Sequence, residues 1–448
     1  MSVIDPAALT FDHRTRLKDA FISRTATVGV VGMGYVGLPL AVEKAKVGFH
    51  VVGFDRSVDR VTKVSRAENY IADVADAELR EAVDLGLLTA TTDYTALQRC
   101  DAIIICVPTP LTANRDPDIS YIRNVGAKIA HVLRPGQLIC LESTTYPGTT
   151  EEVLLPLLTA SGMVVGQDFF LAFSPERVDP GNRRYTTKNT NKLVGGVTPA
   201  CLDVASTFYE QTIQTVLRVP SPRVAEMAKV FENTFRAVNI ALVNEMALLC
   251  DRMNIGIWDV IEAAATKPFG IMRFEPGPGV GGHCIPVDPF YLTWKAREYD
   301  FHTRFIELAG EINLQMPYFV REKIVRALSE RGIALRRARI LVIGVAYKRD
   351  VADCRESPAL KVLELLENDG ADVSYHDPFV PRCRLRGGAL RRSVPLSLER
   401  LRQADCVVVL TSHSGIDWQQ VVKQSNLVID TRNSTRDARA GAKNVVLL

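Results

Sequence analysis

The sequence predicts an α/β protein in which two doubly wound parallel sheets are joined by a helical central segment. Three observations carry this. The chain has 448 residues, more than a single hydrophobic core accommodates. An alternation of apolar strand, turn and helix runs through its first half and restarts at Arg339. Between the two runs, Val224 to Arg252 keeps a helical pattern with neither proline nor glycine. The expected domains are residues 1–218, 219–330 and 331–448.

The arm from Met1 to Arg24 reads as helical. It mixes Asp5, Asp12, Arg14, Arg16 and Lys18, so it lacks the apolar core of a secretory signal. Thr27–Val31 is a buried strand, followed by a helix over Leu38–Val47 and a second strand, Val51–Phe54, ending at Asp55. Together they make a βαβ unit. Apolar runs at Ala102–Val107, Gln137–Leu141 and Phe170–Phe173 extend the sheet, since strands covered on both faces read as continuous hydrophobic segments. Pro220-Ser221-Pro222 breaks the chain before the long helix, and Trp258–Ala265 is a second helix. Pro268–Gly282, rich in glycine and proline, is a loop, and Phe301–Arg331 returns to helix. In the last third Ile340–Gly344, Asp372–Tyr375, Cys406–Leu410 and Leu427–Asp430 read as strands and Pro358–Asn368 as a helix.

Composition narrows the function classes. With 47% hydrophobic and 23% charged residues the chain has the make-up of a soluble globular protein. A formal charge of +3 is nearly neutral for this length and gives no case for nucleic-acid binding. No apolar run reaches membrane-spanning length. Nine scattered cysteines, without a CxxC pair, predict free thiols in a reducing cytoplasm. No metal site is expected, because apart from the adjacent His283 and Cys284 no Cys or His residues stand at ligand spacing.

Gly32, Gly34 and Gly37 form a GxGxxG directly after a strand and at the opening of a helix, with Tyr35 and Val36 between. In that context the glycines let backbone amides approach a pyrophosphate at the helix N-terminus. Asp55, at the end of the next strand, is expected to accept the adenosine ribose hydroxyls and to repel a 2′-phosphate, which selects NAD over NADP. Arg56 complicates that choice, since an arginine there also serves a phosphate. The bland alternative is a tight structural turn. Pro108, Thr109 and Thr144 follow predicted strands at the edge where ligands lie in such sheets, as cofactor contacts or as ordinary loop residues.

The second informative stretch is Gly281-Gly282-His283-Cys284-Ile285-Pro286-Val287-Asp288. Taken alone, Cys284 reads as an inert buried thiol. Three features point the other way. The thiol lies in a glycine-rich loop, Asp288 follows four residues on as a base, and Lys229 and Asn233 share one face of the long helix at i and i+4. A thiolate is of no use to simple alcohol oxidation. It becomes useful when an aldehyde must be held covalently and oxidised again.

These motifs, with Glu142-Ser143-Thr144, Ser174-Pro175-Glu176, Ala225–Asn233, Asn239–Glu245 and Gly344–Pro358, resemble the nucleotide-sugar 6-dehydrogenases over nearly the whole chain. The family is that of UDP-glucose/GDP-mannose dehydrogenases, and the pattern is most similar to its bacterial UDP-N-acetylglucosamine members, which feed surface-polysaccharide synthesis. The resemblance implies an NAD-binding N-terminal domain, a helical dimer-forming middle and a C-terminal domain that binds the UDP. It implies Cys284 as nucleophile with Lys229, Asn233 and Asp288 around the reacting carbon, and Glu176 as the acid assisting base chemistry or thioester hydrolysis. Asp179 is the nearest match to a second family acid, offset by one position. Lys348 and Arg355 resemble residues that reach substrate and cofactor from the C-terminal domain, and Arg432 an arginine near the UDP-sugar. Arg177, Arg236, Gly281, Gly282 and His283 complete the expected substrate contacts.

The chemistry expected is oxidation of a sugar C6 hydroxyl to the acid through a Cys284 adduct, on UDP-N-acetylglucosamine. UDP-N-acetylmannosamine and UDP-glucose are the rival substrates. A non-catalytic NAD-binding redox sensor is the rival of another class, and it predicts cofactor binding without turnover. A hydroxyacid or phosphogluconate-type dehydrogenase would leave the thiol and the second α/β domain without a task.

Overall fold

The structure, a computed structural model, describes residues 12–448 apart from residues 72, 113, 180, 181, 183 and 283. The chain divides into two units, Met1–Phe231 and Glu232–Leu448. In the first, β1 (Thr27–Val31), β2 (His50–Phe54), β3 (Leu88–Thr91), β4 (Ala102–Ile105), β5 (Gln137–Leu141), β6 (Phe169–Phe173), β7 (Lys192–Gly196) and β8 (Val216–Val219) form one sheet. Its order is β3-β2-β1-β4-β5-β6-β7-β8. From β4 through β6 every strand residue is buried, which explains why the Ile103-Ile104-Ile105 and Phe169-Phe170-Leu171 runs carry no polar alternation.

One part of the sheet differs from the sequence expectation. Strands β1 to β6 are parallel, but β7 pairs antiparallel with β6, and β8 runs parallel to β7. The sheet is therefore mixed rather than wholly parallel. Strand β7 escapes a sequence reading because a lysine and two glycines in Lys192-Leu-Val-Gly-Gly argue against a buried strand, yet all five residues are buried.

The second unit holds β9 (Arg339–Ile343), β10 (Asp372–His376), β11 (Arg382–Arg384), β12 (Leu390–Arg392), β13 (Cys406–Val409), β14 (Val428–Asp430) and β15 (Val445–Leu447). Five of them make a parallel sheet in the order β10-β9-β13-β14-β15, while β11 and β12 pair as a separate antiparallel ribbon. The long predicted helix spans Pro222–Met253, and Ile257–Ala265, Asp288–Ala296 and Arg304–Ser329 follow. Asp288–Ala296 opens with a proline at its second residue, where the missing N–H costs nothing. Among the described residues no helix is long and apolar enough to cross a membrane.

Candidate active site

The strand order reverses at β1 and β4, the place where open α/β sheets bind ligands. The three fingerprint glycines occupy the turn after β1 with different duties. Gly32 has φ +96°, and a Cβ there would stand 2.5 Å from the Cys106 carbonyl oxygen; one on Gly37 would stand 1.9 Å from the Gly32 oxygen. Those two close the turn and seat the helix Gly37–Lys46. A Cβ on Gly34 would meet nothing within 4 Å, so its backbone faces open space, as close approach of a pyrophosphate requires. The residues present fit a dinucleotide.

Asp55 is buried at the end of β2. Its Oδ2 accepts the Met33 amide at 3.0 Å and Arg60 Nη1 at 3.1 Å, and its Oδ1 accepts the Ser57 amide at 2.9 Å. The carboxylate thus fixes the glycine turn. Arg60 was not anticipated from sequence; it reaches back from the first turn of the helix Val58–Ser65. Arg56 is exposed, with its guanidinium 5.2 Å from the centre of the Tyr121 ring. Tyr35 is partly exposed, and Val36 precedes the first turn of the helix Gly37–Lys46. Pro108 is exposed and Thr109 and Thr144 half-buried in the loops after β4 and β5. Ser143 Oγ donates to the Val107 carbonyl at 2.8 Å and so ties those two loops together.

Beside this crevice lies a row of charges, buried at Lys192 and Glu142 and half-buried at Glu176. Lys192 Nζ donates to Glu142 Oε2 at 2.7 Å and stands 3.5 Å from Glu176 Oε2. Glu176 Oε1 accepts the backbone amides of Arg177 and Val178 at 2.7 and 2.8 Å. Burial works to raise the Glu176 pKa, but Lys192, the two amides and Lys229 outweigh it and hold the carboxyl below its ordinary value. Burial keeps Glu142 above the usual carboxylate range despite Lys192 and a hydrogen bond from Tyr209. Burial also works against the Lys192 charge, yet Glu142 and Glu176 prevail and raise its pKa. Lys229, itself buried, sits in the helix Pro222–Met253. That helix is tied down by Glu226, whose carboxylate accepts the Gly148 and Thr150 amides and the Thr150 hydroxyl. Glu142 was visible in a motif without a role, and Lys192 and Tyr209 went unnoticed; only a lysine in an apolar strand could have flagged them. Arg177 Nη1 donates to the Asn191 carbonyl at 2.8 Å, and Asp179 accepts Asn182 at 3.5 Å.

In the second unit the Cys284 loop is built by backbone turns. The amides of Val287 and Asp288 both donate to the Cys284 carbonyl, at 3.0 and 2.8 Å, so residues 284–288 form one helical turn. The Asp288 carboxylate accepts a short hydrogen bond from Asn233 Nδ2, and both side chains are buried. The structure therefore brings Asn233 and Asp288 together as the sequence expected. Of the nine cysteines only Cys284 and Cys354 are partly exposed, which separates Cys284 from the seven buried thiols. Burial pushes Cys140, for example, up to about 12.

Gly281 and Gly282, expected among the substrate contacts, have protein packed against their Cβ positions. A Cβ on Gly281 would meet Tyr347 Cβ at 2.8 Å and Pro358 Cδ at 2.9 Å, and Gly282, at φ +83°, has the Tyr347 ring 3.1 Å from its Cβ position. The Gly282 amide donates to the Arg355 carbonyl at 3.2 Å. Arg355 itself forks onto Asp353, at 2.6 Å for the nearest contact. Lys348, half-buried, stands in the same 344–358 loop. Arg432 Nε donates to the Leu410 carbonyl at 3.0 Å, and its guanidinium fills the space above Gly277. The Gly277 amide is held by fully buried Asn244 at 3.0 Å. Arg236 is exposed on the long helix, and His283 lies outside the described residues. Among the described residues no group of three or more His, Cys, Asp or Glu is placed to hold a metal.

Comparison with known proteins agrees with this arrangement. Residues 26–213 match the NAD binding domain of the UDP-glucose/GDP-mannose dehydrogenase family, 223–315 its central domain and 341–437 its UDP binding domain. A UDP-N-acetyl-D-mannosamine dehydrogenase of Pyrococcus horikoshii is 36% identical over 92% of this chain and 97% of its own. A UDP-N-acetyl-D-glucosamine 6-dehydrogenase of Pseudomonas aeruginosa is 38% identical over 79% of this chain and 83% of its own. A solved structure of the UDP-D-ManNAc dehydrogenase from Pyrococcus horikoshii superposes with a TM-score of 0.85 at 34% identity, covering 94% of this chain and 98% of that one. With a fingerprint turn shaped for NAD, a partly exposed thiol one helical turn from a buried Asn–Asp pair and all three family domains in order, this chain belongs to the UDP-glucose/GDP-mannose dehydrogenase family of NAD-dependent oxidoreductases.

Proposed function

We propose that the enzyme oxidises the C6 hydroxyl of a UDP-N-acetylhexosamine to the carboxylate in two steps, with UDP-N-acetyl-D-glucosamine as the sugar. Residues 1–218 hold the NAD, 219–330 carry the reacting groups and 331–448 bind the UDP. The observation that carries this reading is a partly exposed Cys284 one helical turn from Asp288, itself bonded to Asn233. NAD, when bound, supplies the hydride acceptor for both oxidations. Asp288 takes the C6 hydroxyl proton, directly or through a water. The Cys284 thiolate then forms a bond to the aldehyde carbon, and the second oxidation leaves a thioester. In the last step water adds to the thioester carbonyl and the C–S bond breaks. Its electron pair leaves on sulfur, and Glu176 accepts a proton from the water. Lys229 and Asn233 stabilise the oxyanion, a contribution of about 3 kcal/mol per donor in comparable sites.

Turnover with UDP-sugars tests this. The expected result is two NADH per sugar and release of the acid; one NADH with free aldehyde would refute the covalent step. Rates with the gluco and manno N-acetyl epimers and with UDP-glucose decide the substrate. The manno epimer is the second reading, favoured by the Pyrococcus relative.

The same reading includes a homodimer. Met227, Phe231, Phe235, Leu242, Met246 and Leu249 are exposed along one stripe of the helix Pro222–Met253, at spacings of three, four and seven. A stripe of this kind buries itself against a copy. Replacing Phe231 and Leu242 by glutamate is expected to halve the mass measured by light scattering; an unchanged mass overturns the assignment.

A further inference from the structure

We propose that Lys192 is a positioning residue for hydrolysis of the covalent intermediate: shared between Glu142 and Glu176, it keeps the Glu176 carboxylate ionised and oriented. The inference rests on the role given to Glu176 above. Its structural basis is the row of charges within the first unit. Glu176 offers two oxygens with separate attachments, Oε1 to the Arg177 and Val178 amides and Oε2 to Lys192 at 3.5 Å. An oxygen facing an ammonium at that distance is held by charge without a direct hydrogen bond, so it retains lone pairs for a water. Glu142 matters equally. Its 2.7 Å bond takes most of the Lys192 charge, and Tyr209 donates to its other oxygen. The side chains of Lys192 and Glu142 are 4% and 0% exposed, so water does not screen them.

The groups facing Glu176 are few. Lys192 and Lys229 are positive, Glu142 is negative, and the Cys106 thiol stays neutral because burial raises its pKa. The Glu142 end is flanked by Cys140, Tyr209 and Lys44. Removing Lys192 takes the nearest positive charge from both carboxylates, so the Glu176 pKa moves up. Removing the Glu142 charge does the opposite, since Lys192 then acts on Glu176 alone.

Opposite shifts from two members of one network distinguish positioning from mere support. The measurement is the decay of the enzyme–sugar adduct in a single turnover, followed by intact-protein mass against pH. Decay requires ionised Glu176, so its rate falls as pH falls through the pKa of that group. In Lys192→Met the falling limb is expected to move to higher pH, by about one unit or more. In Glu142→Gln the falling limb moves to lower pH, and Lys192→Arg restores the wild-type profile. If Lys192→Met does not fold, the downward movement in Glu142→Gln and the rescue by arginine must still appear. Adduct decay with unmoved limbs, or with both moved the same way, overturns the inference. Absence of any adduct in the wild type, with Cys284→Ser fully active, instead brings down the thioester reading and this inference with it.

Discussion

Cys284→Ser is expected to abolish release of the acid while leaving NAD binding intact. A serine hydroxyl is far less acidic than a thiol and does not add to the aldehyde as an anion near neutral pH. Loss of a nucleophile of this kind costs about a thousandfold or more in turnover. The substitution changes one atom in a half-buried position and leaves the backbone bonds of the turn, from the Val287 and Asp288 amides to the residue 284 carbonyl, in place. The turn therefore survives. Cofactor titration by fluorescence should give a dissociation constant within about twofold of wild type, and product analysis should show no acid. Acid formed at the wild-type rate would remove sulfur from the mechanism.

Lys44→Met is expected to stabilise the protein, although it deletes a charge from a nucleotide-binding domain. Lys44 is wholly buried on the helix Gly37–Lys46; its Nζ donates to the Phe208 carbonyl at 3.2 Å and lies 3.6 Å from the Phe208 ring centre. Burial lowers its pKa from 10.5 to about 7, with Glu142 pulling upward and Lys192 pushing down. In the unfolded chain the amine stays protonated up to its ordinary value. Between about pH 7 and 10.5 the unfolded state therefore holds a proton that the folded state lacks, and stability rises with pH by roughly 1.4 kcal/mol per unit. Below that window the full cost of the buried charge is felt. Methionine removes it, at the loss of one hydrogen bond and a cation–ring contact together worth about 2–3 kcal/mol. The net gain is about 2 kcal/mol at pH 7, or roughly 5 °C in melting temperature. Melts at pH 7, 8 and 9 check both the gain and the flattened pH dependence; a less stable variant with the wild-type slope would refute the account.

The parts of the fold that were legible in sequence share a physical cause. Strands such as Ala102–Ile105 and Gln137–Leu141 are covered on both faces, so their apolar runs have no other reading. The glycine turn was legible because Gly32 and Gly37 are required by backbone crowding, which few alternatives satisfy. Asn233 with Asp288 was legible through helical spacing and a motif. What stayed hidden depends on residues far apart in the chain. Glu142, Glu176 and Lys192 meet only because β5, β6 and β7 are neighbours, and β7 has the composition of a loop. The antiparallel join was hidden for the same reason. At Gly281 and Gly282 packing adds a reason for glycine that spacing alone does not show: Tyr347 and Pro358 stand where a side chain would go.

That last contact has a mechanical meaning. The 344–358 segment packs against Gly281 and Gly282, three and two residues before Cys284, so the loop that carries the thiol rests on the part of the chain matched to UDP binding. A side chain at Gly281 or Gly282 has no room while Tyr347 and Pro358 keep their places.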